Sequence, residues 1–240
     1  MEKVFLTSEE IKQAKSKYSG YESNIYEYSK DYLMKIFKDD DKDLLNNKLK
    51  KVLLLSNLNL DLVPLKLVFI DDCFKGYIYE ELKGYYPIDG LVQKKKEKEK
   101  ILLEIKDKLE RLHQLGIIYG DLHQQNILYN GKDVIICDLD NISINGLDLD
   151  KKNNHIHYYT ARMDTLDTRL DNFIFNLLTI SYYQNISYYY VLKYLTSYGK
   201  LSYKFNTSKN KEIIREMICL KDDYSGDLLI DNKKKKLTLL

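Results

Sequence analysis

Apolar residues recur at three- and four-residue spacing in two segments of the chain. In the clearer segment, from Lys94 to Leu115, the apolar positions are separated by Lys and Glu: Ile101, Leu102, Ile105, Leu109, Leu112 and Leu115. This spacing places the apolar side chains on one face of a helix, and Gly116 is a natural stop. The stretch from Leu44 to Leu58 shows the same spacing and predicts a second helix.

Short apolar stretches separated by turn residues fill the rest of the first third. They predict strands at Asp31–Phe37, Leu65–Ile70 and Gly76–Leu82. Later, the Asn130-Gly131 turn between Ile127–Tyr129 and Val134–Cys137 predicts a β-hairpin. Past residue 165 the pattern predicts helix to the end. Strands first and helices later indicate an α+β fold.

Composition narrows the class of protein. The 240 residues suit one two-lobed domain, and 38 basic against 36 acidic residues give no argument for a nucleic-acid or membrane surface. The three cysteines are scattered and lack CxxC spacing, so neither a disulfide framework nor a zinc site is expected. With no secretory leader and no long apolar run, we expect a cytoplasmic protein.

Three oxygen-bearing side chains flank the predicted hairpin. Asp121 and Asn126 lie in the polar stretch before it, and Asp138 follows its second strand. Transfer of a γ-phosphoryl group requires Mg²⁺, which prefers hard oxygen ligands, and a carboxylate that accepts the proton of the attacking hydroxyl. A hairpin with this arrangement brings the three groups together. The alternative is that Asp121 and Asn126 are ordinary turn residues.

The D-x-x-x-x-N spacing of Asp121 and Asn126, followed by Asp138, resembles the protein-kinase-like superfamily, in particular divergent Ser/Thr protein kinases of bacterial or viral type. The resemblance implies a small antiparallel β-sheet lobe at residues 1–82 and a mostly helical lobe at residues 83–240. It also implies ATP and Mg²⁺ as cofactors, Asp121 as the catalytic base, and Asn126 and Asp138 as metal ligands.

The same resemblance assigns nucleotide contacts in the first lobe. Lys35, in a strand similar to the family's lysine strand, would contact the phosphates; alternatively it is an edge-strand lysine that reaches water. Gly20 and Ser23 lie in a turn similar to the phosphate-covering loop, although only one of its glycines remains. The backbones of Glu80 and Leu82 would bind adenine; the alternative is a strand end with a turn.

Four further positions complete the comparison. Asp171 would brace the catalytic loop through backbone N–H groups, or else interact with a helix dipole. His123 is similar to the histidine of aminoglycoside and choline kinases, or is a loop histidine with a structural hydrogen bond. Asp140 would add a metal ligand. The glutamate expected in the second predicted helix is missing, and Lys51 stands near its position.

Three functions remain open on these residues. The first is transfer of the ATP γ-phosphate to a Ser/Thr-type hydroxyl on a protein substrate. The second is phosphorylation of a small-molecule hydroxyl acceptor, which His123 and Asp140 favour. The third is a nucleotide-binding pseudokinase module, which the missing glutamate favours and the intact Asp121, Asn126 and Asp138 oppose.

Overall fold

The computed structural model describes residues 1–91, 93–150, 167–184, 230–231 and 236–237. The chain divides into two compact units, Met1–Tyr85 and Tyr86–Leu240. This boundary lies slightly later than the one at residue 82 that the sequence suggested. The class is α+β, with a mixed six-stranded sheet and, in the described part of the chain, four helices.

The first unit is built on the six-stranded sheet, which has the strand order β1-β5-β6-β4-β3-β2. Its strands are β1 Glu2–Leu6, β2 Ser16–Ser19, β3 Ser23–Ser29, β4 Tyr32–Phe37, β5 Lys66–Ile70 and β6 Cys73–Glu80. Two helices, α1 Ser8–Gln13 and α2 Lys42–Leu55, complete the unit.

The expectation of a purely antiparallel sheet is wrong at one edge. β1 pairs in parallel with β5, from Glu2 opposite Lys66 to Leu6 opposite Ile70, while the other strand pairs of this sheet are antiparallel. A parallel pair needs a long crossover, and here α1, three strands and α2 lie between the two strands. The sequence did not reveal β1 because it is short and half exposed.

The buried face of α2 packs on the sheet. Asp41 begins the helix by accepting hydrogen bonds from the N–H groups of Asp43 and Leu44. Apolar side chains of the helix and sheet then form one core cluster: Phe37, Leu45, Val52, Leu67, Phe74 and Tyr77. Gly76 lets β6 approach β4, because a Cβ atom there would lie 1.8 Å from the Lys35 carbonyl oxygen.

The second unit contains the long helix and the hairpin. Its elements are β7 Tyr86–Pro87, α3 Lys95–Gln114, β8 Ile117–Ile118, β9 Ile127–Tyr129, β10 Val134–Ile136, β11 Ser143–Ile144, α4 Thr168–Gln184, β12 Ile230–Asp231 and β13 Lys236–Leu237. The predicted hairpin is confirmed, with Val134 opposite Tyr129 and Ile136 opposite Ile127. The expectation of helix to the end of the chain is wrong, because β12 pairs with β13.

Helices α3 and α4 bury the apolar faces that their spacing predicts. The buried side chains include Ile101, Leu102, Ile105, Leu109 and Leu112 of α3, and Leu170, Phe173, Ile174, Leu177 and Leu178 of α4. The Lys98 ammonium donates to the Tyr182 carbonyl at 2.6 Å, near the end of α4. Within the described ranges, no helix has the length and apolarity needed to cross a membrane.

Candidate functional site

The loop between β8 and β9 holds Asp121 and Asn126 in direct contact. The Asn126 side-chain nitrogen donates to the Asp121 carbonyl oxygen at 3.0 Å and to its carboxylate Oδ2 at 3.3 Å. Asn126 is buried, whereas 26% of the Asp121 side chain is exposed. The Asn126 amide therefore holds the Asp121 carboxylate on its buried side, while part of the carboxylate remains accessible to solvent.

Asp138 lies at the same end of the hairpin. The ladder pairs Ile136 with Ile127, and the next residue, Cys137, donates its N–H to the Asn126 carbonyl at 2.9 Å. Asp138 thus follows the residue that stands opposite Asn126. The three residues that the sequence singled out come together at one end of β9 and β10.

The backbone of Asp138 is strained. Its φ of 61° and ψ of 53° fall in the left-handed region, which is unfavourable for a residue with a Cβ atom by roughly 1–2 kcal/mol. Strain of this kind persists only where the surroundings impose it, and it is common at functional sites. Asp71, Asp72 and Asn145 also have positive φ, so the conformation fixes the backbone geometry of Asp138 and does not alone assign it a role.

Asp171 is a fully buried carboxylate in the first turn of α4. Its two oxygens accept the N–H groups of Tyr119 at 2.8 Å and Gly120 at 2.7 Å, and His113 Nε2 lies 2.9 Å from Oδ2. The predicted contact with backbone N–H groups is present, so α4 orients the start of the loop. The catalytic role of that loop stays a prediction.

Gly120 gives the loop its shape just before Asp121. Its φ is +74°, and a Cβ atom at this position would lie 2.8 Å from a methyl carbon of Leu149. Both the left-handed backbone and the close approach favour glycine. The direction in which the chain presents Asp121 thus depends on a position where any residue with a side chain would be strained.

Tyr119 is a residue of this site that the sequence did not single out. It is buried, and its hydroxyl donates to the Cys137 carbonyl at 2.6 Å. Burial raises the pKa of the Tyr119 phenol well above its usual value, the carboxylates of Asp121 and Asp138 raise it further, and a hydrogen bond with the Asn126 side chain opposes this in part. An aromatic residue beside a polar loop carries no specific signal, so only the tertiary structure reveals this contact.

His123 lies behind Asp121. Its Nε2 is 3.8 Å from the Asp121 carboxylate Oδ2, which is too long for a hydrogen bond. Burial lowers the pKa of His123, and the charge of Asp89 opposes this in part. His123 is therefore neutral at neutral pH. Asp140, the other accessory residue predicted, is buried in the 3-10 turn Leu139–Asn141.

Lys35, in the first unit, is a buried residue of an interior strand. β4 lies between β3 and β6, and Lys35 is 7% exposed, so the alternative of an edge-strand lysine is wrong. Its ammonium lies 5.8 Å from the Phe37 ring centre and 6.0 Å from that of Tyr77. The buried face of α2 carries Lys48 and Lys51, with no carboxylate among its buried residues.

The remaining predicted nucleotide contacts lie at two turns of the first unit. Gly20 donates its N–H to the Ser23 carbonyl at 2.9 Å, and the Lys38 ammonium donates to the Gly20 carbonyl at 2.5 Å. Glu80 is the last residue of β6, and the Leu82 carbonyl accepts the Tyr85 N–H at 3.3 Å. The structure brings Gly20 and Ser23 together in one turn.

The donor set at the hairpin end suits Mg²⁺. Among the residues that the structure describes, no cluster of three or more His, Cys, Asp or Glu side chains forms a metal cage. Mg²⁺ does not require one, because it commonly takes one or two protein oxygens together with water and substrate phosphates. The Asn126 amide nitrogen faces Asp121, so the Asn126 oxygen would be the ligand atom, and Asp138 would supply a carboxylate.

The chain was compared with protein-family models and with curated proteins, and neither comparison found a match.

Proposed function

We propose that the protein is an ATP- and Mg²⁺-dependent phosphotransferase. The observation that carries this proposal is the grouping of Asp121, Asn126 and Asp138 at one end of the β9–β10 hairpin. Asn126 and Asp138 would hold the metal, which neutralises charge on the phosphates. A constellation of a carboxylate, an amide and a second carboxylate meets the chemical needs of phosphoryl transfer.

Asp121 has the surroundings of a general base. Its carboxylate is partly exposed and is held by the Asn126 amide, so it is oriented without being shielded from an acceptor. It would accept the proton of the attacking hydroxyl and orient its oxygen toward the γ-phosphate. Such positioned proton acceptors contribute about 10²–10⁴-fold to rate.

The two-lobed, kinase-like arrangement belongs to this proposal. In it, Lys35 contacts the nucleotide phosphates, Gly20 and Ser23 cover them, and the backbones of Glu80 and Leu82 bind adenine. Support comes from the buried ammonium of Lys35 on an interior strand, because a buried charge is costly and is commonly kept for function.

A Ser/Thr-type hydroxyl on a protein is the leading acceptor, in a cytoplasmic setting. A nucleotide-binding module without turnover is the second candidate. The observation that favours it is the buried face of α2, which presents Lys48 and Lys51 where a kinase-like protein has a glutamate. A small-molecule acceptor is a third outcome that the experiment below separates from these two.

The deciding experiment incubates the protein with γ-labelled ATP, Mg²⁺, and either a generic protein substrate or a metabolite mixture. Label on protein supports the leading proposal, label confined to a metabolite supports a small-molecule kinase, and ATP binding without transfer supports the module. The variant Asp121→Asn should lose transfer by about 10²-fold or more while binding ATP normally.

Asp107→Asn is the matched control for this variant. Asp107 is an exposed carboxylate of α3 in the same unit, so its replacement should leave transfer at the wild-type rate. Transfer by Asp121→Asn at the wild-type rate would remove the proton-accepting role of Asp121.

A further inference from the structure

Tyr119 joins two parts of the second unit that meet at the proposed metal site. Tyr119 directly follows β8 and is 1% exposed. Its N–H donates to the Asp171 carboxylate at 2.8 Å, and its hydroxyl donates to the Cys137 carbonyl at 2.6 Å. One buried residue thus connects the start of α4, through its backbone N–H, with the residue that precedes Asp138, through its hydroxyl.

The peptide groups on both sides of Cys137 are held by hydrogen bonds. The Cys137 N–H donates to the Asn126 carbonyl at 2.9 Å, and the Cys137 carbonyl accepts the Tyr119 hydroxyl. This carbonyl lies in the same rigid peptide plane as the nitrogen of Asp138. Its direction therefore constrains φ of Asp138, which has the unfavourable left-handed value of 61°.

The direction of the hydrogen bond is set by chemistry. A carbonyl oxygen can only accept, so the Tyr119 hydroxyl must be the donor. A tyrosine phenol is protonated at neutral pH, since its ordinary pKa is about 10. Phenylalanine fills the same space without the donor, which makes Tyr119→Phe a clean test of the hydroxyl alone.

We propose that the Tyr119 hydroxyl is a positioning group: it fixes the Cys137–Asp138 peptide and so aims the Asp138 carboxylate at the metal that Asn126 also holds. The inference rests on the proposed function. Tyr119 does not contact the metal itself. The hydroxyl acts through the backbone of Cys137. Loss of the hydroxyl should therefore change metal binding more than the stability of the fold.

The test compares Tyr119→Phe with Tyr129→Phe. Tyr129 is the control because it is also buried and its hydroxyl lies at the far end of the hairpin, where its acceptors are the Gly131 carbonyl at 2.7 Å and the Glu97 carboxylate at 3.1 Å. Hydrogen–deuterium exchange is measured on a peptide covering Ile136–Asn141. The Mg²⁺ concentration that gives half-maximal ATP binding is measured by calorimetry.

Tyr119→Phe should speed exchange in this peptide and raise the half-maximal Mg²⁺ concentration by about two- to tenfold, the range for loss of one hydrogen bond. Tyr129→Phe should change neither quantity. Unchanged exchange in Tyr119→Phe, or an equal effect of Tyr129→Phe, overturns the inference. Faster exchange with an unchanged Mg²⁺ requirement overturns its metal-aiming part.

Failure of the proposed function would look different. In that case the wild-type protein shows no Mg²⁺-dependent ATP binding, and the proposed role of the Tyr119 hydroxyl in orienting Asp138 toward the metal is then also wrong. The exchange experiment needs no nucleotide, so it still decides whether the hydroxyl holds the Cys137–Asp138 peptide.

Discussion

Asp171 shows how much a single residue carries in this structure. It is fully buried, Oδ1 accepts the Gly120 N–H, and Oδ2 accepts the Tyr119 N–H and lies against His113. A buried carboxylate is tolerated only with such partners. The alternative proposed from the sequence, an interaction with the helix dipole, is compatible with these contacts because Asp171 also lies in the first turn of α4.

Replacing Asp171 by Asn should destabilise the protein by about 2–4 kcal/mol. The amide has one oxygen, so one of the two backbone N–H groups would face an NH₂ group and lose its acceptor. Urea unfolding monitored by circular dichroism measures the change in the free energy of unfolding. Asp107→Asn, on the exposed face of α3, should stay within about 0.5 kcal/mol of wild type. Equal stability of the two variants would contradict this account of Asp171.

His123 should make stability depend on pH. Burial lowers its pKa in the folded protein, so as pH falls the unfolded chain, with an ordinary pKa near 6.5, binds the proton first. Its contribution to stability is complete above about pH 6.5 and is lost as pH falls through the lower, folded-state pKa. We expect His123→Gln to lose less stability than wild type between about pH 7 and pH 5.

Thermal unfolding across this pH range measures that difference, and the NMR titration of the His123 ring gives the pKa directly. A His123 midpoint at or above the ordinary histidine value would contradict the expected direction.

At the scale of elements, the sequence predicted the helices and the hairpin that depend on the pattern of neighbouring residues. The helix expected at Lys94–Leu115 is α3, Lys95–Gln114, because its apolar spacing is regular over the whole length. The hairpin around Asn130-Gly131 is present for a similar reason: its turn chemistry is local, with the Asn130 side chain accepting the N–H groups of Lys132 and Asp133.

What the sequence could not predict depends on contacts between distant residues. β1 is recognisable only by its parallel partner β5, and the Tyr119 hydroxyl has meaning only beside the Cys137 carbonyl. Of the candidate site, the grouping of Asp121 and Asn126 follows from their spacing in one loop. The left-handed backbone of Asp138 does not, because it depends on hydrogen bonds that hold the Cys137 peptide groups from residues distant along the chain.

Two glycines of the first unit, Gly76 in β6 and Gly20 in the turn between β2 and β3, give a prediction at this scale. Gly76→Ala should destabilise by about 3 kcal/mol or more, because its Cβ atom would overlap the Lys35 carbonyl and separate β4 from β6. Gly20→Ala should cost under about 1 kcal/mol, because the nearest atom is the Ser23 carbonyl oxygen at 3.3 Å. Melting temperatures of the two variants measure this contrast.

The Gly20→Ala variant also tests the proposed role of the turn around Gly20. If this turn covers the nucleotide phosphates, Gly20→Ala should weaken ATP binding at nearly unchanged stability, as measured by calorimetry. Wild-type affinity in a stably folded Gly20→Ala variant would remove Gly20 from the proposed nucleotide contacts.

For the whole molecule, binding of Mg²⁺–ATP should raise thermal stability. A ligand at about 100 times its dissociation constant adds about 2.7 kcal/mol, which corresponds to roughly 5–10 °C for a chain of this size. Asp138→Asn removes a charge from the proposed metal site, so we expect its ATP-induced shift to be nearly the same with Mg²⁺ as with EDTA. A wild-type Mg²⁺ dependence in this variant would contradict the assignment of Asp138.

The parallel pairing of β1 with β5 has a consequence for the order of events on the ribosome. Glu2 and its neighbour across the sheet, Lys66, are 64 positions apart. At a translation rate of about 5–20 residues per second, the first strand waits roughly 3–13 s for its partner to be made. During that interval Val4 and Phe5 remain without the strand that orders them. The nascent chain is thus open to chaperones at least until β5 has been made.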